Sequence, residues 1–110
     1  MLNTSGIQNT AAGFGALFSN TSGSSNIGLG INAGYNLTTG SNNIDIANQG
    51  MAGESGVIRI GAASTQTKTY IAGIQNAQVT GAAVYVSSSG QLGVLASSER
   101  YKTAIAADAG

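Results

Sequence analysis

The residues able to do chemistry in this sequence are few, and they gather near its end. Only eight of 110 residues carry a formal charge, and three of those, Glu99, Arg100 and Lys102, fall inside the hexapeptide "SSERYK" from Ser97 to Lys102. His and Cys are both absent. Ser-His-Asp chemistry, disulfides and thiolate metal sites are therefore excluded within the chain. A Ser hydroxyl is a weak nucleophile that needs a base. Without His, the remaining base is a Lys whose pKa is lowered by burial or by a neighbouring cation such as Arg100. What that chemistry could serve depends on what the rest of the chain builds.

Composition narrows the choice. Leu, Ile, Val and Phe together supply 23 residues, about a fifth of the chain, which is thin for a compact globule of this length. Disorder of the usual kind also needs a strong net charge, and here the formal charge is zero. An ordered structure built from small and short aliphatic residues stacked at regular intervals satisfies both facts. Four Lys and Arg balanced by four Asp and Glu leave no basic patch for nucleic acid. No apolar run approaches the roughly 18 residues needed to insert into a membrane. The start "MLNTSGIQNT" lacks the basic and apolar regions of a signal peptide, so export is expected to depend on another segment or route.

The chain repeats itself. "NTAAGFGALFSNTSGSS" from Asn9 lies over "NIGLGINAGYNLTTGSN" from Asn26, and a third copy opens at Asn43 as "NIDIANQGMAGESG", so the copies start 17 residues apart. Gly13 matches Gly30, Ala16 matches Ala33, Thr21 matches Thr38 and Gly23 matches Gly40. The opening "NTSGIQ" matches the tail "NTSGSS", which gives the expectation of a chain that begins mid-repeat, as a piece of something longer. Alternations such as Ile27, Leu29, Ile31 and Ile44, Ile46 have the period of half-buried strands, and the Gly, Asn and Ser clusters between them are turn formers. Each copy reads as strand, turn, short strand, turn. Aligned Asn and Thr residues would bond along a stack of such coils.

The repeat ends at about Gly56. Two strand-like runs follow, Val57, Ile58 and Ile60, then Tyr70, Ile71 and Ile74, joined by a tract in which Thr65, Thr67 and Thr69 suit an extended backbone. "GAAVYVSSSGQLGVLAS" reads as a hairpin, with Val84 and Val86 on one arm, Leu92 and Val94 on the other, and "SSSG" as the turn. No segment has a helical period.

These stretches carry a resemblance. "NTAAGFGALFSNTSGSSNIGLGINAGYNLTTGSNNIDIANQG" resembles the head repeats of trimeric autotransporter adhesins and the related repeats of phage tail fibres over roughly residues 3–56. "GVIRIG", "TQTKTYIAGI" and "TGAAVYVSSSGQLG" followed by "SSERYK" resemble the stretch preceding the endosialidase-type intramolecular chaperone of bacterial and phage fibre proteins. The resemblance implies an all-β, repetitive β-roll or β-helix, a solenoid-like fibre segment forming an intertwined homotrimer. It divides the chain into head-type repeats (1–56), a strand and hairpin fibre segment (57–96) and a chaperone-junction remnant (97–110). It further implies a single-turnover self-cleavage beside Ser97, with Ser97 as nucleophile and Lys102 as base, releasing the chaperone. The family often has a basic residue where this chain has Glu99, and only eight residues follow Lys102, so no activity is expected of this stretch alone.

The expected function is that of an extracellular stalk or head on a virion tail or bacterial surface. Its partners are further copies of itself, as a homotrimer or stacked end to end in a filament, and a cell-surface receptor or glycan; no cofactor, metal, nucleic acid or membrane insertion is implied. Tyr35, Tyr70 and Tyr85 read as packing residues at coil edges, with a sugar-binding surface as the alternative. Asp45 lacks the partner carboxylates of a calcium site and reads as a surface or ladder residue. Arg59 and Lys68 are candidate partners of Glu54. "GLGINAG" departs from the dinucleotide fingerprint because its sixth position is Ala33, so Gly28 and Gly30 read as repeat glycines.

Overall fold

The computed structural model describes residues 3–96. Every regular element among them is a strand: β1 (Thr10–Ala12), β2 (Ile27–Leu29), β3 (Ile44–Ile46), β4 (Ile58–Ile60), β5 (Tyr85–Val86) and β6 (Leu92–Gly93). The first four form one parallel sheet in chain order, and the last two pair antiparallel. The chain divides into two compact units, Met1–Tyr70 and Ile71–Gly110, each described by itself below.

In the first unit the repeat becomes a stack. Thr10 lies beside Ile27 and Ile27 beside Ile44, each step being the 17 residues read in the sequence. The next step is shorter, because Ile44 lies beside Ile58. The three missing residues fall between Ala47, which is still 17 from Gly30, and Glu54, whose carbonyl lies against Gly40. β4 is thus a fourth rung in the same sheet: the strand itself was legible in Val57, Ile58 and Ile60, but its place in the stack was not.

Polar ladders hold the rungs at one height. The Asn26 amide donates to Asn9 Oδ1 at 2.9 Å, the Asn43 amide to Asn26 Oδ1 at 3.0 Å and the Val57 amide to Asn43 Oδ1 at 3.1 Å. Each of these side chains also donates from Nδ2 to a carbonyl of the following coil, that of Gly23, Gly40 or Glu54, at 2.9 Å. A buried Asn with both amide ends paired avoids the 1–3 kcal/mol or so that an unsatisfied polar group costs. Thr4 and Thr21 hydroxyls donate to the carbonyls of Thr21 and Thr38, so the expected Asn and Thr ladders are both present. Corners repeat as faithfully. Gln8, Ser25, Asn42 and Gly56 occupy equivalent places, all with φ between 58° and 70°.

The interior of the first unit is narrow. Its apolar members are Ala16, Leu17, Ala33 and Leu37, and beside them lie the buried Asn20, Asn26, Asn43 and Asp45. Side chains alternate across a strand, so the central residue of each triplet faces opposite to its neighbours. Gly28 and Asp45 face inward, and the residues flanking them, Ile27, Leu29, Ile44 and Ile46, are on the opposite face of the sheet. Stacking therefore buries the apolar alternation only in part: Ile27, Ile44 and Ile46 are half-buried and Leu29 is exposed. A Cβ on Gly28 would stand 2.8 Å from the Ala33 carbonyl and 3.2 Å from Leu17, so there is no room inside for a larger residue.

Past β4 the sequence reading holds in part. Thr65 lies in a turn closed by its amide donating to the Ala62 carbonyl, and no strand forms at Tyr70, Ile71 and Ile74. An extended run gains strand geometry only by pairing, and nothing in the described residues lies alongside these. In the second unit the hairpin forms as read: Tyr85 pairs with Gly93, Val86 with Leu92, and the Ser87 amide donates to the Gln91 carbonyl across the turn.

Candidate interaction surface

Ser97 and Lys102, the residues singled out for self-cleavage chemistry, lie outside the described residues. Among the described residues no three of His, Cys, Asp and Glu come together. The notable geometry of the first unit is instead a surface and one buried acid.

The surface is the outer face of the parallel sheet. Register aligns Thr10, Ile27, Ile44 and Ile58 in one column, and Ala12, Leu29, Ile46 and Ile60 in a second. Six of these eight residues are Ile or Leu. Ile58 and Ile60 are 66% and 73% exposed, and Phe14 and Ile31, in the turns that follow β1 and β2, are exposed as well. The β-branched residues suit the pleat. The columns form a contiguous apolar strip on this face of the sheet.

The acid is Asp45. It is wholly buried, between Gly28 and Arg59 in register, and neither carboxylate oxygen has a hydrogen-bond partner. Leu37 and the glycines at 34 and 50 crowd it: a Cβ on Gly34 would lie 3.5 Å from Oδ2, and one on Gly50 would collide with it. Burial, reinforced by the nearby Glu54 charge and opposed by Arg59, pushes the Asp45 carboxyl from 3.8 up to about 6. This corrects the surface reading of Asp45, although its place in a strand ladder stands. The alternation Ile44, Asp45, Ile46 does not say which side is inside, and the small residues at the equivalent positions, Ala11 and Gly28, were the available signal.

Glu54 takes Arg59 as its partner. Arg59 donates from Nη2 to Oε2 at 2.8 Å and from Nε to Oε1 at 2.9 Å, a two-pronged contact that holds the Glu54 carboxyl below its ordinary range and the guanidinium above its own. Lys68 is exposed and makes no ion pair among the described residues. Tyr35 stacks on Phe18, one coil away, with ring centroids 5.2 Å apart and planes 5° from parallel, which is the packing role read for it. Tyr70 is among the exposed large side chains, and Tyr85, in the hairpin, is less exposed than the valines beside it.

Compared with known proteins, the chain matches no family model, no curated protein and no solved structure.

Proposed function

We propose that this chain is a structural segment of an extracellular attachment fibre, of the kind borne by a phage tail or a bacterial surface, in which three copies of a solenoid-like β-roll share one core. The observation that carries this reading is the division of labour across each strand. Gly28 and Asp45 turn inward to a narrow polar interior, while Ile27, Leu29, Ile44, Ile46, Ile58 and Ile60 form two aliphatic columns on the outside. A chain with so few large apolar residues, placing them outward, is built to complete its core with other copies. The ladders at a fixed step would give such a fibre length and stiffness, and the turns would be its exposed, receptor-facing part.

The columns give the test. In the double variant Ile46→Asp, Ile60→Asp, sedimentation should report a species of one third the parent mass, with the strand content of the first unit kept in circular dichroism because the Asn ladders lie on the other side of the sheet. An assembly of unchanged mass would refute the shared core. End-to-end stacking into a filament is the second reading, favoured by β1, whose three residues are all exposed at the sheet edge. Electron microscopy would then have to show filaments of unlimited length in place of short rods.

A further inference from the structure

Two carboxylates in the first unit face a single guanidinium. Asp45 and Arg59 are register neighbours on β3 and β4, and in-register residues of adjacent strands send their side chains to the same face, about 4.8 Å apart. Arg59 is accordingly less exposed than Ile58 and Ile60 on either side of it. Its guanidinium nevertheless turns to Glu54, which it holds through Nη2 and Nε, while both Asp45 oxygens stay without a partner. The other groups against Asp45 carry no charge: Gly28 on β2, and Gly34 and Gly50 in the turns, with Leu37 beside them. Glu54 and Arg59 are therefore the only charges it meets.

Glu54 also fastens the turn that closes the shortened coil. Its Oε1 accepts from the Met51 amide at 3.1 Å, and Arg59 Nη2 reaches Met51 Sδ at 3.3 Å, so carboxylate, guanidinium and turn form one clasp. While Asp45 is protonated, that clasp is the only ionic claim on Arg59. Once Asp45 ionises, a wholly buried carboxylate needs a donor, whereas Glu54 keeps some contact with solvent and the Met51 amide. An unpaired buried charge costs far more than an opened, partly exposed ion pair. We propose that Arg59 is a two-position latch: it clasps Glu54 while Asp45 holds a proton and passes to Asp45 when that proton leaves for solvent, freeing the turn from Met51 to Glu54. Arg59 itself stays charged throughout. With the Asp45 carboxyl raised to about 6 by burial and by the Glu54 charge, the exchange falls between acid and neutral pH. The last coil of the stack is thereby locked in acid and loosened toward neutrality.

Double-mutant cycles on the full chain test the latch. Glu54→Gln, Arg59→Gln and the double variant would be unfolded by denaturant at pH 5 and pH 7.5 at one protein concentration, both with Asp45 and with Asp45→Asn. With Asp45 present, the coupling between Glu54 and Arg59 is expected to be about fivefold in the unfolding constant at pH 5 and about unity at pH 7.5. With Asp45→Asn it stays about fivefold at both. The burial cost of Asp45 is common to the four corners of a cycle, so a simple loss of stability with pH leaves the coupling unchanged. An unchanged coupling with Asp45 present, or an equal loss with Asp45→Asn, would overturn the latch. The Met51 methyl resonance is a second readout that needs no unfolding. It should move between the two pH values in the parent and hold still in Asp45→Asn; a resonance that holds still in both, or moves equally in both, overturns the latch as well.

Discussion

At the scale of single residues, Asp45 is where a pH dependence should enter. Its carboxyl is raised in the folded state, so folding favours the protonated form. The associated stability is fully present below the unfolded value of 3.8 and is lost as pH rises through about 6. Glu54, held low by Arg59, contributes stability of the opposite sign, which is lost on the acid side and not as pH rises. Thermal melts should therefore show the midpoint falling between pH 4.5 and 7.5, by the equivalent of about 2 kcal/mol. Asp45→Asn should flatten that slope and melt higher than the parent at pH 7.5. A parent midpoint that is flat or rises over this interval would contradict the burial of an unpaired carboxylate. The position of Asp45 in a strand was legible from its isoleucine neighbours. Its inward orientation was not, because an alternating triplet is symmetric until the size of the interior is known.

At the scale of elements, the coil spacing depends on close backbone approach. A Cβ on Gly23 would collide with the Gly40 carbonyl of the next coil. Gly23→Ala should force the coils apart and destabilise the first unit by about 1–3 kcal/mol, measured by denaturant titration. Gly81→Ala, where a Cβ meets nothing within 4 Å, is the control and should change little. Equal stabilities for the two variants would mean that the coils are not in contact as described. Much of this level was readable in advance. Asn9, Asn26 and Asn43 gave the step, and "SSSG" between two alternating runs gave the hairpin. The shortened step to β4 was hidden because the segment after Ala47 lost residues and kept none of the Asn-Thr pattern. Tyr70 to Ile74 has strand-like residues without a strand, since pairing and not propensity decides where an extended run becomes part of a sheet.

At the scale of the whole molecule, both units describe a chain that places large aliphatic side chains outward, in columns on the sheet and on one face of the hairpin. This arrangement bears on the composition: among the Leu, Ile, Val and Phe of the described residues only Leu17 and Leu37 are buried, and the fibre reading assigns the others to a shared core. The single measurement that bears most directly on that claim is native mass spectrometry of the intact chain. The fibre account predicts a species at three times the 10.8 kDa chain mass, with every chain uncut. A spectrum dominated by the single-chain mass at micromolar concentration would contradict it.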